Sequence, residues 1–260
     1  MIKNILFDMD GTLLPMDQNE FTEYYMHLLG KTFAALGYDP EKLCRTVWDS
    51  FVVMLRNQSD QTNEQVFFDS FYKTYGEETH VLRPLFDRFY ANEFQQVQKV
   101  CRTEPAAAAA VRQFQQMGLN VIVATLPAFP REAIYSRIRW AGLTPEDFSY
   151  ITTYENSTRC KPNPAYYTEI VQKLRLVPEE CLMVGNNVDE DMIAGTIGMQ
   201  CFLMPECLIN DHNKDTSIYP QGGFDDLTAY VAQLSPFSPV GWVGASACGS
   251  NDRRTHAPLP

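Results

Sequence analysis

An apolar stretch near the start of the chain, Ile2, Ile5, Leu6 and Phe7, ends abruptly in Asp8, Met9, Asp10, Gly11 and Thr12. A short apolar run that stops at a glycine turn predicts a buried strand. Four similar runs follow, at 121–125, 150–153, 181–184 and 201–204. Helical periodicity separates the later strands or follows them, at 105–117, 131–141, 165–174 and 189–197, and Gly118, Gly142 and Gly198 stand just past three of those helices. Strands that alternate with helices predict an α/β fold, a Rossmann-like parallel sheet with helices on both faces.

About a hundred residues lie between the first strand and the second, and there the apolar positions recur at three- and four-residue spacing. Phe21, Tyr25, Leu28, Leu29, Phe33 and Leu36 mark one helix, which stops near Gly37, and Leu43, Val47, Phe51 and Leu55 mark a second. Thr62 with Gln65 reads as the capping box of a third helix that ends at Gly76, and Leu82, Leu85, Phe86, Phe89 and Phe94 mark a fourth. The expected organisation is an α/β core formed by 1–16 and 104–234, with an inserted four-helix bundle at 17–103. The many aromatics of the insert are what a bundle core requires. Past about Ser235 the texture changes to Ser, Pro, Gly and Ala without periodicity, and 235–260 are expected to form a disordered tail.

Composition narrows the partners. The 260 residues carry 21 Lys and Arg against 32 Asp and Glu, a formal charge of −11, which disfavours attraction to nucleic acid backbones and anionic membranes. No basic leader precedes an apolar core, and no apolar run approaches the roughly 20 residues that span a bilayer, so a cytoplasmic location is expected. The seven cysteines lack the paired spacing of a zinc site or a disulfide framework.

Asp8 and Asp10 leave the first strand together. Carboxylates this close repel, and a divalent cation or a shared proton relieves them, although turn and capping roles also suit two acids at a strand end. Three further segments extend the pattern: Thr125 closing the run Val121, Ile122, Val123; Lys161 ahead of Pro162, Asn163 and Pro164; and an acidic stretch after Val184 and Gly185. In this order and spacing the four segments resemble the haloacid dehalogenase superfamily, and the helical insert is similar to that family's cap, a lid over the active site. The resemblance covers most of residues 1–205.

The resemblance implies four catalytic residues. Asp8 is the expected nucleophile on phosphorus and Asp10 the general acid to the leaving oxygen and general base to water. Thr125 is expected to hydrogen-bond the phosphoryl group, and Lys161 to neutralise it and hold Asp8. It also implies Mg²⁺, bound by Asp8, Asp10 through its backbone carbonyl, Asn186, Asn187 and Asp191. Here the chain departs from its relatives, which place an Asp one or two residues after Gly185 where this sequence has Asn186 and Asn187. A lost charge predicts weaker metal binding. Asp189 and Glu190 are not both expected as ligands, because acids are favoured in the first turn of a helix in any case. Leu126 and Pro127 replace the Asn that often follows the threonine.

Family members that cleave carbon–halogen bonds lack an acid at the Asp10 position. The implied activity is therefore a Mg²⁺-dependent phosphatase of a small phosphorylated metabolite, as monomer or homodimer. A sugar phosphomutase and a noncatalytic binding protein with a weakened metal site are the alternatives. Gln18, Glu20, Tyr24 and His27 stand near enough in sequence to contact substrate, although solvated helix positions or core packing account for them equally well, and 15–18 and 100–104 are expected as hinges.

Overall fold

The computed structural model describes residues 1–234, apart from the side chains at 77–79; the tail expected at 235–260 lies outside the described residues. Five strands, β1 (Asn4–Phe7), β2 (Asn120–Val123), β3 (Tyr150–Ile151), β4 (Cys181–Gly185) and β5 (Gln200–Leu203), form one parallel sheet in the order β3-β2-β1-β4-β5. Each strand end lies within two residues of its expected position.

The insert between β1 and β2 contains α1 (Gln18–Ala35), α2 (Pro40–Leu55), α3 (Asn63–Tyr75) and α4 (Arg83–Ala91). Asp17 and Asp39 cap α1 and α2 by accepting two backbone N–H groups each. Thr62 and Gln65 form the complete capping box of α3. Such caps each stabilise by about 1 kcal/mol. The remaining helices are α5 (Pro105–Gln116), α6 (Arg131–Trp140), α7 (Pro164–Leu174) and α8 (Phe224–Leu234). The last has no counterpart among the helices expected from sequence. Its Phe224, Leu227 and Val231 are buried in the same apolar cluster as Phe114 of α5.

Strand alternation divides the core in two. Ile5, Phe7, Val121, Val123, Leu182 and Val184 face one cluster, which continues without a break into Phe33, Phe71, Phe89 and Phe94 of the insert. Leu6, Ile122, Met183 and Leu203 face the other, against Tyr166, Tyr167 and Ile170 of α7. The insert is thereby fused to one sheet face by apolar contact. Its two connections to the core run side by side: Met16 pairs with Cys101, and the Arg102 N–H donates to the Pro15 carbonyl at 2.9 Å. A third attachment comes from the start of α3, where the N–H groups of Asn63 and Glu64 donate to the carbonyls of Ser157 and Tyr154 at 2.8 and 2.9 Å.

The helix expected at 189–197 is a correction. A short 3₁₀ segment, Met192–Ile197, stands there instead. The Asn187 amide oxygen accepts the N–H groups of Asp189 and Glu190, and the Asp191 carboxylate is held by Lys161 and the Asn187 N–H. These side-chain bonds compete with the helical ladder and fix a turn. Among the described residues no helix is long and apolar enough to cross a membrane.

The chain builds outward from β1 to β2 and β3 on one side, then to β4 and β5 on the other. The crevice at the carboxyl ends of β1 and β4 is therefore a topological switch point, where ligands bind in open α/β sheets.

Candidate active site

Each of the four sequence segments emerges at that edge. Asp8 directly follows β1, and its N–H donates to the Val184 carbonyl at 2.9 Å, so the ladder with β4 fixes where its carboxylate leaves the sheet. Gly11 then turns the chain with φ +83°, and a Cβ there would overlap the Asn186 amide. Only glycine satisfies both demands.

Lys161, 2% exposed, reaches from the loop before α7 and donates to Asp8 Oδ1 at 2.9 Å and to Asp191 Oδ1 at 2.6 Å. One cation thus serves two buried carboxylates. Burial acts to deprotonate Lys161, but Asp191 and Asp8 outweigh it and hold its pKa well above the ordinary lysine value. Burial pushes Asp191 up, against the pull of Lys161. Gly185 makes room for this arrangement, since a Cβ there would collide with the Asp191 carboxylate.

Asp10 has a partner that the sequence did not suggest. Arg137 of α6, with a fully buried side chain, forms an ion pair with Asp10 Oδ2. Asp10 Oδ1 has no hydrogen-bond partner among the described residues. Burial raises the Asp10 pKa, Arg137 lowers it, and the neighbouring Asp8 charge raises it, with a net upward shift. A carboxyl pushed up in this way is suited to carry a proton. The available signal was an arginine on the apolar face of a helix, beside Ala133, Ile134 and Ile138.

Thr125 is 1% exposed, and its carbonyl accepts from Tyr166 Oη at 2.7 Å and Thr152 Oγ1 at 2.9 Å, which holds the loop after β2 in place. Leu126, which follows it, also lines the catalytic cavity.

In the fourth segment the expected roles separate. Asn186 accepts from Thr12 Oγ1 at 2.9 Å and donates to the Cys207 carbonyl at 2.6 Å, so its amide ties two loops together. Asp189 turns away to His212 and Lys214. Glu190, read from sequence as a first-turn acid, lines the cavity, where burial raises its pKa to about 7 despite Lys161 nearby.

Asp8, Asp10, Thr125, Lys161, Asn187 and Glu190 line one cavity of about 550 Å³. Asn186 and Asp191 are not among its lining residues. Of the insert residues near enough in sequence to contact substrate, Gln18 lines it, whereas Glu20, Tyr24 and His27 do not. Among the described residues no three His, Cys, Asp or Glu side chains converge as a metal cage. The arrangement sets the Asp8 carboxylate, the Asp10 carboxyl with its unpartnered oxygen and one fixed cation, Lys161, around the same cavity.

Comparison with known proteins places this geometry in a family. The chain is 25% identical over 214 residues to the protein CbbY of Cereibacter sphaeroides, covering 79% of this chain and 85% of that one. It is 23% identical over 233 residues to the pyrophosphatase PpaX of Oceanobacillus iheyensis, covering 87% and 94%. Its fold matches the L-2-haloacid dehalogenase of Xanthobacter autotrophicus with a TM-score of 0.55 and 18% identity, over 90% of this chain and all of that one. The family model for haloacid dehalogenase-like hydrolases matches residues 2–196, and the chain belongs to that family of hydrolases.

Proposed function

We propose that this hydrolase is a phosphatase acting on a small phosphomonoester through an aspartyl-phosphate on Asp8. The observation that carries the reading is Asp10, with its unpartnered Oδ1, in the same cavity as Asp8. A halide leaves without a proton, so a dehalogenase has no use for this acid. An alkoxide leaving from phosphorus needs one.

In the first step an Asp8 carboxylate oxygen attacks phosphorus, the bond from phosphorus to the ester oxygen breaks, and Asp10 gives that oxygen its proton. In the second, water attacks the same phosphorus, Asp10 takes a proton from the water, and the Asp8 carboxylate leaves, releasing inorganic phosphate. Lys161 holds Asp8 in line and offsets phosphate charge, and Thr125 orients the phosphoryl oxygens from the wall of the cavity.

The donor chemistry fits a loosely held Mg²⁺, which keeps several waters and takes one or two carboxylates together with substrate phosphate. Asp8, the Asp10 carbonyl and Glu190 would hold it. When bound, the cation offsets repulsion between the Asp8 carboxylate and the phosphate dianion. Asn186 and Asp191 hold the loop in this reading, because their polar atoms are committed to Thr12, Cys207, Lys161 and the Asn187 backbone.

Phosphate release from a panel of small phosphate esters, with and without Mg²⁺, tests the proposal. Release that depends on Mg²⁺ and disappears in Asp8→Asn is expected. Silence across the panel, or full activity in Asp8→Asn, would contradict it.

A further inference from the structure

We infer that the helical insert carries a subsite for an apolar group, and that the substrate is the monophosphate of an apolar or aromatic alcohol. The inference rests on the phosphatase reading and adds the identity of the leaving alcohol. A cavity of about 100 Å³ lies between the insert and the core, walled by side chains that include Tyr25, Val47, Phe67, Phe68 and Phe86 of the insert and Tyr154 of the core. It adjoins the catalytic cavity, because Thr22, Trp48, Phe51, Ala128 and Phe129 line both.

The shared wall is aromatic. Trp48 is 48% exposed, and its ring lies 5.4 Å from that of Phe51. Large apolar side chains left open beside a site of phosphate chemistry mark a surface that a ligand covers. Several polar atoms along the cavity are engaged: the hydroxyls of Tyr25 and Tyr90 bond each other at 2.9 Å, and that of Thr22 donates to the Gln18 carbonyl at 2.7 Å, which leaves the Tyr154 hydroxyl and the Trp48 indole N–H as the polar tips of an aromatic lining. A polyhydroxylated sugar placed against these rings would lose more hydrogen bonds to water than two polar tips can return. A cavity of this size and polarity suits a small ring or a short alkyl chain.

Charge agrees. Among the described residues, Arg56 is the one charged side chain that the insert contributes to the catalytic cavity, and it is exposed. Specificity for the leaving group therefore falls to the aromatic wall.

Two series test this: calorimetric binding of n-alkylphosphonates from methyl to hexyl, which cannot be hydrolysed, and kcat/KM for the matching n-alkyl phosphates in the presence of Mg²⁺. Both should rise about fourfold per methylene until the cavity is filled. Val47→Phe, which fills it, should flatten both series. If Val47→Phe fails to fold, the wild-type series decides alone. Affinity independent of chain length, or ribose 5-phosphate outperforming pentyl phosphate in kcat/KM, overturns the subsite. Rising phosphonate affinity without turnover of any ester supports the subsite and overturns the phosphatase reading; turnover with a flat series does the reverse.

Discussion

Arg137, buried on α6, is paired with Asp10, the carboxyl two residues beyond Asp8. Its guanidinium lies 4.5 Å from the centroid of the Phe129 ring and 5.7 Å from that of Phe21, so an apolar wall delivers a positive charge to the edge of the catalytic cavity. One Asp10 oxygen is occupied by that pair, and the other, which has no hydrogen-bond partner among the described residues, is the one the proposed reaction uses. Arg137 acts through Asp10, as a positioning residue that sets its protonation.

Replacing Arg137 by Met removes the main influence that lowers the Asp10 pKa, and burial and the Asp8 charge, opposed then only by the weaker pull of Lys161, raise it further. The first step needs Asp10 protonated, so the alkaline limb of the kcat/KM profile should move up by about 1–3 pH units. The second step needs it ionised, so kcat at neutral pH should fall about 10-fold to 100-fold. Activity profiles across pH check this, and a lost kcat with an unmoved alkaline limb would show that Arg137 serves the fold alone.

Lys161 is a single ammonium between Asp8 and Asp191. Lys161→Met leaves two buried carboxylates facing each other and should destabilise the protein by about 3–5 kcal/mol. Adding Asp191→Asn to the same chain should recover part of that loss. Urea unfolding of the two single variants and the double variant measures the coupling. Strictly additive losses would mean that the pair is not energetically linked.

Glu190 and Asn186 should part company in their response to Mg²⁺. Glu190→Gln should raise the Mg²⁺ concentration for half-maximal activity about tenfold, as removal of a ligating carboxylate does. Asn186→Ala should instead lower stability by about 1–3 kcal/mol, because Thr12 and the Cys207 carbonyl lose their partner. Metal titrations of activity, paired with unfolding curves, separate the two.

Alkali should weaken the fold. Burial pushes the thiols of Cys101, Cys160 and Cys201 up from 9.0 to about 12, and the Tyr90 hydroxyl up from 10.0 to about 12. These groups bind their protons more tightly folded than unfolded. Their contribution is fully present below pH 9, and it is lost as pH rises through the folded values near 12. Unfolding midpoints in urea, followed from pH 8 upward, should fall steadily above about pH 9.

The five strands were legible because each is an apolar run with a defined stop, and the four insert helices because caps such as Thr62 with Gln65 mark their ends. Asp8, Asp10, Thr125 and Lys161 were legible as a spacing, and the sheet gathers them at one edge. Glu190 was not, because its direction depends on the Asn187 turn replacing the expected helix. The hydrogen bonds of Asn186 were not legible, because its partners, Thr12 and Cys207, come from distant segments that only the fold brings together. Arg137 lies 127 residues from Asp10, and no local pattern joins them.

The central claim is that Asp8 carries the phosphoryl group. Rapid acid quench of the enzyme with p-nitrophenyl phosphate, followed by peptide mapping by mass, tests it most directly. A hydroxylamine-labile phosphoryl group is expected on the peptide that contains Asp8, absent in Asp8→Asn. Phosphate released in a single turnover with that peptide unmodified, or a phosphoryl group found on another residue, would contradict it.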